Sequence, residues 1–332
     1  MNREKNTSGF IAEACDTVLN GGTINRRQAQ RLISMQEQPD IMLLIAHANR
    51  LRHHYCETDI SMCSIVNARS GKCTEDCAFC AQSSRFDTNI KTHPMLETND
   101  ILRCARRSKK YGARYFSIVT SGKGITDARE LQHICEAINK ISSVEGLKPC
   151  ASLGIVTKEQ LVQLRDAGLK RYHHNLETAE RFFPSVCTTH SFSRRAETIH
   201  EAKEAGLEVC AGGIFGLGET PEDRIEMAYE LKAIDVDSVP LNFLNPIPGT
   251  ALEHMTQLPP IEIVKTVAVY RFLLPQKEIR ICGGREVNLR TLQPLIYIAG
   301  ASGIMAGNYL TTAGRNASVD IQEIADLGLC VQ

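Results

Sequence analysis

The sequence predicts a (β/α)8 TIM-type barrel, an α/β fold, on three observations. Eight short apolar or β-branched runs alternate with longer amphipathic runs, the pattern of parallel strands joined by crossover helices. Gly112, Gly168 and Gly206 each fall between a helical run and the next strand, where C′ glycines belong. A stretch of different, purely helical periodicity precedes the alternation. A doubly wound open sheet is the structural alternative.

Up to about residue 50 the helical runs are FIAEACDTVLNGG, INRRQAQRLISMQ and DIMLLIAHANRLRHHYC, with Thr23 and Asp40 as expected N-caps of the second and third. The strand candidates follow: MCSIVNA (62–68), RYFSIVT (114–120), KPCASLG (148–154), RYHHNLE (171–177), EVCAGGIFG (208–216), SVPLNFL (238–244), EIRICGG (278–284) and GIMAG (303–307). Between them lie helical runs such as DILRCARRSKKYG, TDARELQHICEAINKI and TPEDRIEMAYELKAI. The expected division is a helical extension over 1–50, the barrel over 51–315 and a C-terminal tail over 316–332. A barrel of this kind carries its functional groups at the C-terminal ends of the strands.

Composition narrows the class. The 332 residues carry 38 basic and 38 acidic side chains, a balance that argues against an electrostatic nucleic-acid binder. The longest apolar runs are strand-sized, so no membrane span is expected. The start, MNREKNTSGFIAEAC, lacks the apolar core of a signal peptide. Thirteen cysteines without a secretion signal point to the reducing cytoplasm and to metal rather than disulfides. Cys15, Cys104 and Cys135 lie on amphipathic helical patterns and are expected to be inert core thiols.

Cys73, Cys77 and Cys80 form a CxxxCxxC triplet in SGKCTEDCAFCAQS, just after the first strand candidate. Three thiolates leave a metal site one ligand short. A structural zinc site is closed by a fourth Cys or His, whereas an iron–sulfur cubane on three cysteines keeps one iron free for another ligand. A ribbon-type zinc site is the plainer reading of the triplet alone. Strand alternation puts His173, Asn175 and Glu177 on one face of RYHHNLE and His174 on the other. Three polar groups on one face suggest a ligand site, and His174 a satisfied core group. GGIFGLGET (212–220) ends a strand in a glycine-rich turn where backbone can approach a ligand, although GxGxxG spacing is absent.

The triplet, with Phe79 before its last cysteine, resembles the signature of the radical S-adenosylmethionine (SAM) enzymes. YHHNLET, CTTHSFSRR, VCAGGIFGLGET, NFLNPIPGTALE, ICGGREVNL and GIMAGNYLTT occur in this order and together resemble the biotin synthase family, from about residue 40 to 315. Hydrogenase-maturation and pyrrolysine-pathway radical SAM enzymes are less similar in NFLNPIPGT and NYLTT. The resemblance implies a [4Fe–4S] cluster on Cys73, Cys77 and Cys80, chelated by SAM, with Phe79 beside the adenine. It implies SAM or substrate contacts from Asn175, Glu177 (where the family often has aspartate) and Gly216, and pairing of Arg195 with the SAM carboxylate. Asn242 would bond the ureido ring of dethiobiotin, and Arg69, Thr311 and Thr312 would hold its carboxylate tail. The implied reaction is sulfur insertion into dethiobiotin, driven by a reduced flavodoxin or ferredoxin-type electron donor. A homodimer is expected, with no nucleic-acid or membrane partner.

One position breaks the family pattern. The usual auxiliary [2Fe–2S] cluster is held by three strand cysteines and an arginine. Cys150, Cys210 and Arg280 match three of these positions, but the fourth is Ser117, and a hydroxyl is a poorer partner for cluster iron than a thiolate. Cys282, two residues after Arg280, and Cys187, beyond the fourth strand, are expected to complete a four-thiolate set with Cys150 and Cys210. Four thiolates suit a four-iron auxiliary cluster; a surviving [2Fe–2S] site is the alternative. The rival functions are a maturase-type radical SAM enzyme with another small substrate, and a non-catalytic zinc protein or iron–sulfur carrier.

Overall fold

The computed structural model describes residues 2–332. Strand β1 (Asp59–Arg69) is followed by β2 (Tyr115–Thr120), β3 (Lys148–Ser152) and β4 (Arg171–His173). The fifth position is split into β5 (Glu208–Cys210) and β6 (Gly213–Phe215), and β7 (Ser238–Phe243), β8 (Glu278–Ile281) and β9 (Gly303–Met305) complete the set. All pairings are parallel, and β9 returns to β1 through Ser61↔Gly303 and Cys63↔Met305. That closure makes an eight-position barrel and rules out the open sheet.

The helical extension comprises α1 (Asn2–Leu19), α2 (Arg26–Ile33) and α3 (Gln38–Cys56). The crossovers are α4 (Thr98–Lys110), α5 (Ala128–Ser142), α6 (Lys158–Asp166), α7 (Phe192–Glu204), α8 (Pro221–Ile234) and α9 (Pro260–Leu273). Two short helices, α10 (Arg285–Leu289) and α11 (Leu295–Ile298), precede β9. Gly112, Gly168 and Gly206 all have positive φ just after α4, α6 and α7, as the spacing predicts.

The expected N-caps of α2 and α3 are corrected. Asn25 caps α2 in a reciprocal box with Gln28, because that pair satisfies two amides at once; Thr23 lies upstream of it. Helix α3 starts after Glu37 with a proline in its first turn, so Asp40 is already inside the helix. The extension shares the barrel's apolar core, through Ile11, Ala14, Val18, Leu44 and Leu51. Tyr229 donates to the Ile24 carbonyl and the buried Lys265 to that of Met35, tying it to α8 and α9. The expected tail is ordered as α12 (Ala317–Asp326) and β10 (Cys330–Val331), which pairs with the start of β1. A buried ion pair of Arg285 with Asp320, 2.6 Å long, fastens α12.

Two strands are shorter than the sequence pattern suggests. RYHHNLE is strand only over β4, and the break inside EVCAGGIFG follows from close backbone approach. A Cβ on Gly212 would lie 2.0 Å from the Pro240 carbonyl oxygen, and one on Gly213 2.3 Å from that of Glu177. Cys15 is fully buried, while Cys104 and Cys135 are partly so, and burial pushes all three thiols up.

Candidate active site

A cavity of about 430 Å³ opens at the C-terminal ends of the strands, within the size range of small-ligand sites. Its walls carry both the triplet and cysteines from inside the barrel.

The triplet loop is held by its own backbone. Cys73 N–H donates to the Gln82 carbonyl, Ser84 N–H to that of Cys73 and Cys80 N–H to that of Cys77. These bonds turn all three side chains to the cavity. Cys77, Cys187 and His190 are the only group of three such donors within 4.8 Å of one another among the described residues. The three triplet sulfurs are therefore too widely spaced to surround one zinc ion, whereas separate irons of a cluster would separate them. Burial pushes the Cys80 thiol up to about 11, so metal, rather than solvent, would have to stabilise its thiolate.

Beside the loop lies a buried polar network. Arg195 donates through Nη2 to Glu177 Oε1 at 2.9 Å and through Nε to the Asn175 carbonyl at 2.5 Å. Its Nη1 is 3.0 Å from His190 Nε2. Burial raises the Glu177 carboxyl, and Arg195 opposes the rise. Glu177 has φ +73°, and His173, His174, Asn175 and Glu177 all line the cavity. The His174 ring stacks on Tyr172, 6.4 Å between centroids, on the side opposite His173 as expected, but its Nε2 is buried without a partner, so it is not the satisfied core group expected. Burial lowers both histidines, His173 to about 4.

Deeper in the barrel, Cys63, Cys150, Cys210 and Cys282 line the same cavity. The neighbouring Cys282 lowers the Cys63 thiol, and burial raises that of Cys282. Burial also raises Cys150, and Cys210 to about 11. Ser117, paired with Cys150 across β2 and β3, has a buried Oγ with no partner. Arg171 and Arg280 flank the thiols and share Glu278. Both Nη atoms of Arg280 are engaged, one with the Ile304 carbonyl at 2.9 Å, the other with Ser61 Oγ at 3.1 Å. The adjacent Cys63 and Glu278 outweigh burial and raise its guanidinium further. A protonated guanidinium has no lone pair to give a metal, so Arg280 is placed as a counter-charge. Four convergent thiols, two cations and an orphaned hydroxyl fit an anionic iron–sulfur cluster.

Cys187 is a correction. It was expected with the strand thiols but lies 3.8 Å from Cys77 Sγ, because Asp76 of the triplet loop gathers residues 187–189, accepting from Thr188 N–H at 2.9 Å and Thr189 N–H at 3.2 Å. Cys63 was missed in its place. The signal was present: in MCSIVNA it shares a face with Ile65 and Asn67, as Cys150 shares one with Ser152.

The remaining expected residues divide. Phe79, Asn242, Thr311 and Thr312 line the cavity. Arg69 does not: it pairs with Glu130 and donates to the Ser121 carbonyl. Gly216 is also off the cavity; its N–H donates to Glu219 Oε1 at 2.9 Å. The glycine-rich turn is thus closed internally by Glu219, which Arg224 neutralises at 2.8 Å.

A barrel with a three-cysteine loop at its C-terminal mouth defines a radical SAM enzyme, and the Radical SAM superfamily matches residues 68–231. The Biotin and Thiamin Synthesis associated domain matches residues 240–330. A curated biotin synthase of Pelobacter propionicus is 50% identical over 322 residues, covering 97% of this chain and 98% of that protein. One of Geobacter sulfurreducens is 50% identical over 315 residues, covering 95% of each. The chain belongs to the biotin synthase family. Among solved structures, methylornithine synthase superposes with TM-score 0.85 at 18% identity, covering 96% of this chain and 97% of that one. The hydrogenase maturase HydG superposes with TM-score 0.82 at 15% identity, covering 97% and 75%. These two show the shared fold. The maturase-type and carrier readings are not favoured by such close relatives. Among the described residues no helix is long and apolar enough to cross a membrane.

Proposed function

We propose that this chain forms biotin by inserting sulfur between two unactivated carbons of dethiobiotin. The observation that carries the reading is a single cavity lined both by the three-cysteine loop and by a second, deeper set of thiols. Cys73, Cys77 and Cys80 hold a [4Fe–4S] cluster that SAM completes. Cys63, Cys150, Cys210 and Cys282 hold an auxiliary cluster of four-iron type. The alternative, a [2Fe–2S] cluster on Ser117, Cys150, Cys210 and Arg280, is disfavoured by the committed guanidinium. When bound, the first cluster and SAM supply a 5′-deoxyadenosyl radical and the second supplies sulfide.

The protein's own part is orientation and exclusion of water. Phe79 packs beside the adenine, and Asn175, Glu177 and Arg195 position SAM. Asn242 orients the ureido ring, and Thr311 and Thr312 receive the carboxylate tail; Arg69 and Gly216 support the walls from behind. Arg171 and Arg280 balance the negative charge of the deeper cluster. A flavodoxin or ferredoxin-type protein supplies electrons, and the enzyme works in the cytoplasm as a homodimer. The extension, barrel and C-terminal segment act as one catalytic unit.

The test is anaerobic reconstitution with iron and sulfide, then assay with SAM, reductant and dethiobiotin. Biotin and 5′-deoxyadenosine should both appear, and Cys77→Ala should reduce both to background. Wild-type 5′-deoxyadenosine formation by that variant would overturn the radical SAM assignment; 5′-deoxyadenosine without biotin in the native chain would overturn the substrate.

A further inference from the structure

Cys187 belongs to neither proposed cluster, yet its surroundings are those of a ligand. Its Sγ lies 3.8 Å from Cys77 Sγ, and 3.4 and 3.8 Å from His190 Nδ1 and Nε2. A tetrahedral ion with metal–sulfur bonds of about 2.3 Å sets two thiolates about 3.8 Å apart, and a thiolate and an imidazole nitrogen about 3.6 Å apart. The two sulfurs match that spacing, and one donor atom from each of the three residues lies within 4.8 Å of the others. Cys187 Sγ is nearly equidistant from both ring nitrogens, so the imidazole would turn to direct one of them at the ion. His190 Nδ1 also lies 2.6 Å from Glu75 Oε2. A carboxylate on one ring nitrogen is the usual orienting partner of a metal-binding histidine and leaves the other, here Nε2, as the ligand atom. Nε2 at present faces Arg195 Nη1 at 3.0 Å. An incoming cation would displace that contact while Arg195 kept Glu177 and the Asn175 carbonyl.

The backbone that carries these donors is built rather than loose. Asp76 Oδ1 accepts from Thr188 N–H, Thr189 N–H and Thr189 Oγ1, the last at 3.0 Å. Ala78 N–H donates to the Val186 carbonyl at 2.9 Å. The two segments are thus stitched together on both sides of Cys77. Phe183 packs edge-on against the His190 ring, 5.7 Å between centroids. A preformed shell of this kind lowers the ordering cost of binding.

We propose that the cluster-free protein binds one borderline divalent ion, Zn²⁺ or Fe²⁺, through Cys77, Cys187 and His190. The site shares only Cys77 with the three-cysteine set, so occupancy here and a completed cluster on the triplet exclude each other. Two thiolates and an imidazole suit Fe²⁺ as an entry point for the first iron. The same donors hold Zn²⁺ more tightly, since affinity rises across the divalent series, and zinc there would block assembly by withholding Cys77.

The experiment uses the full chain, stripped of iron anaerobically and titrated with Co²⁺ as a coloured stand-in, with no SAM or substrate present. One Co²⁺ per chain is expected, with a thiolate charge-transfer band and intense tetrahedral d–d bands. Cys187→Ala and His190→Gln should each weaken binding by tenfold or more, and Glu75→Gln by about tenfold through the imidazole. Cys73→Ala and Cys80→Ala should leave the spectrum in place, which also reports that those chains are folded. Loss of the spectrum in Cys73→Ala or Cys80→Ala with retention in Cys187→Ala would place the ion on the triplet and overturn the proposal. Absence of Co²⁺ binding by the native chain would overturn it as well. Zinc added first should slow iron–sulfur reconstitution in the native chain and not in Cys187→Ala; equal slowing in both would refute the blocking role. None of these outcomes depends on dethiobiotin being the substrate.

Discussion

The thiols of the 73–80 loop come from one stretch of chain, whereas Cys63, Cys150, Cys210 and Cys282 come from four barrel positions. The loop fixes its own geometry: the amides of Cys73 and Cys80 are bonded to carbonyls within ten residues of them. The deeper set has no local logic. It is assembled by strand register, with Ser117 opposite Cys150, Cys150 opposite Arg171, His173 opposite Cys210 and Cys63 opposite Met305. Spacing therefore announces the first site, while the second exists only once the barrel closes. The consequence is a difference in tolerance. A loop motif survives small shifts of the scaffold; a register-built set depends on every strand that contributes.

The largest expected effect tests whether the two sets are separate. Cys63→Ala and Cys282→Ala should each remove the auxiliary cluster and reduce biotin to background, while SAM cleavage on the first cluster persists. Cys187→Ala should leave the auxiliary cluster intact, and Ser117→Ala should be mild. Mössbauer spectra and iron counts on the native chain should fit two four-iron clusters. An auxiliary signal that survives Cys63→Ala but disappears in Ser117→Ala would restore the serine-and-arginine site and dissolve the comparison.

A second test concerns the charge beneath the deeper thiols. Glu278 lies between Arg171 and Arg280. Burial alone would raise its carboxyl, but Arg280 and Arg171 hold it down to about 2. The folded value lies below the ordinary value of about 4.3. Its stabilisation is therefore complete above roughly pH 4.3 and is lost as pH falls toward about 2. By linkage it amounts to about 3 kcal/mol at neutral pH. Chemical unfolding of the cluster-free protein should show Glu278→Gln weaker by that order at pH 7, the gap closing below about pH 3. A gap constant with pH would mean that packing, rather than charge, accounts for the loss.

What the sequence made legible follows the same divide. Barrel, strand order and triplet were readable because alternation, C′ glycines and CxxxCxxC spacing are local signals. Cys187 was misplaced because nothing in CTTHSFSRR says that Asp76, more than a hundred residues earlier, accepts its amides. Cys63 was overlooked because an inward cysteine on a first strand looks like any small core residue until Cys282 is seen beside it. Arg69 and Gly216 show the converse limit. Each sits where the resemblance puts a binding group, yet Glu130 and Glu219 already occupy their hydrogen-bonding atoms. Side-chain partners of this kind are long-range facts and leave no periodicity.

The smallest effect probes a residue that belongs to both worlds, a strand position facing the cavity. Asn242 on β7 accepts from Gly283 N–H at 2.9 Å and donates through Nδ2 to the Gly213 carbonyl at 3.1 Å, so it links β6 to the turn after β8. One N–H and one acceptor lone pair remain, and they complement the carbonyl and N–H of a cyclic urea. Asn242→Ala should cost about 1 kcal/mol of stability for each neutral hydrogen bond lost. Dethiobiotin affinity should fall by about 1–3 kcal/mol, because the ureido partners are left unpaired, and SAM affinity much less. Isothermal titration with each ligand, alongside unfolding of the same variant, separates these effects. Equal losses for both ligands would assign Asn242 to the scaffold alone. A selective loss for dethiobiotin would show that one amide can serve the register of the strands and the recognition of the substrate at once.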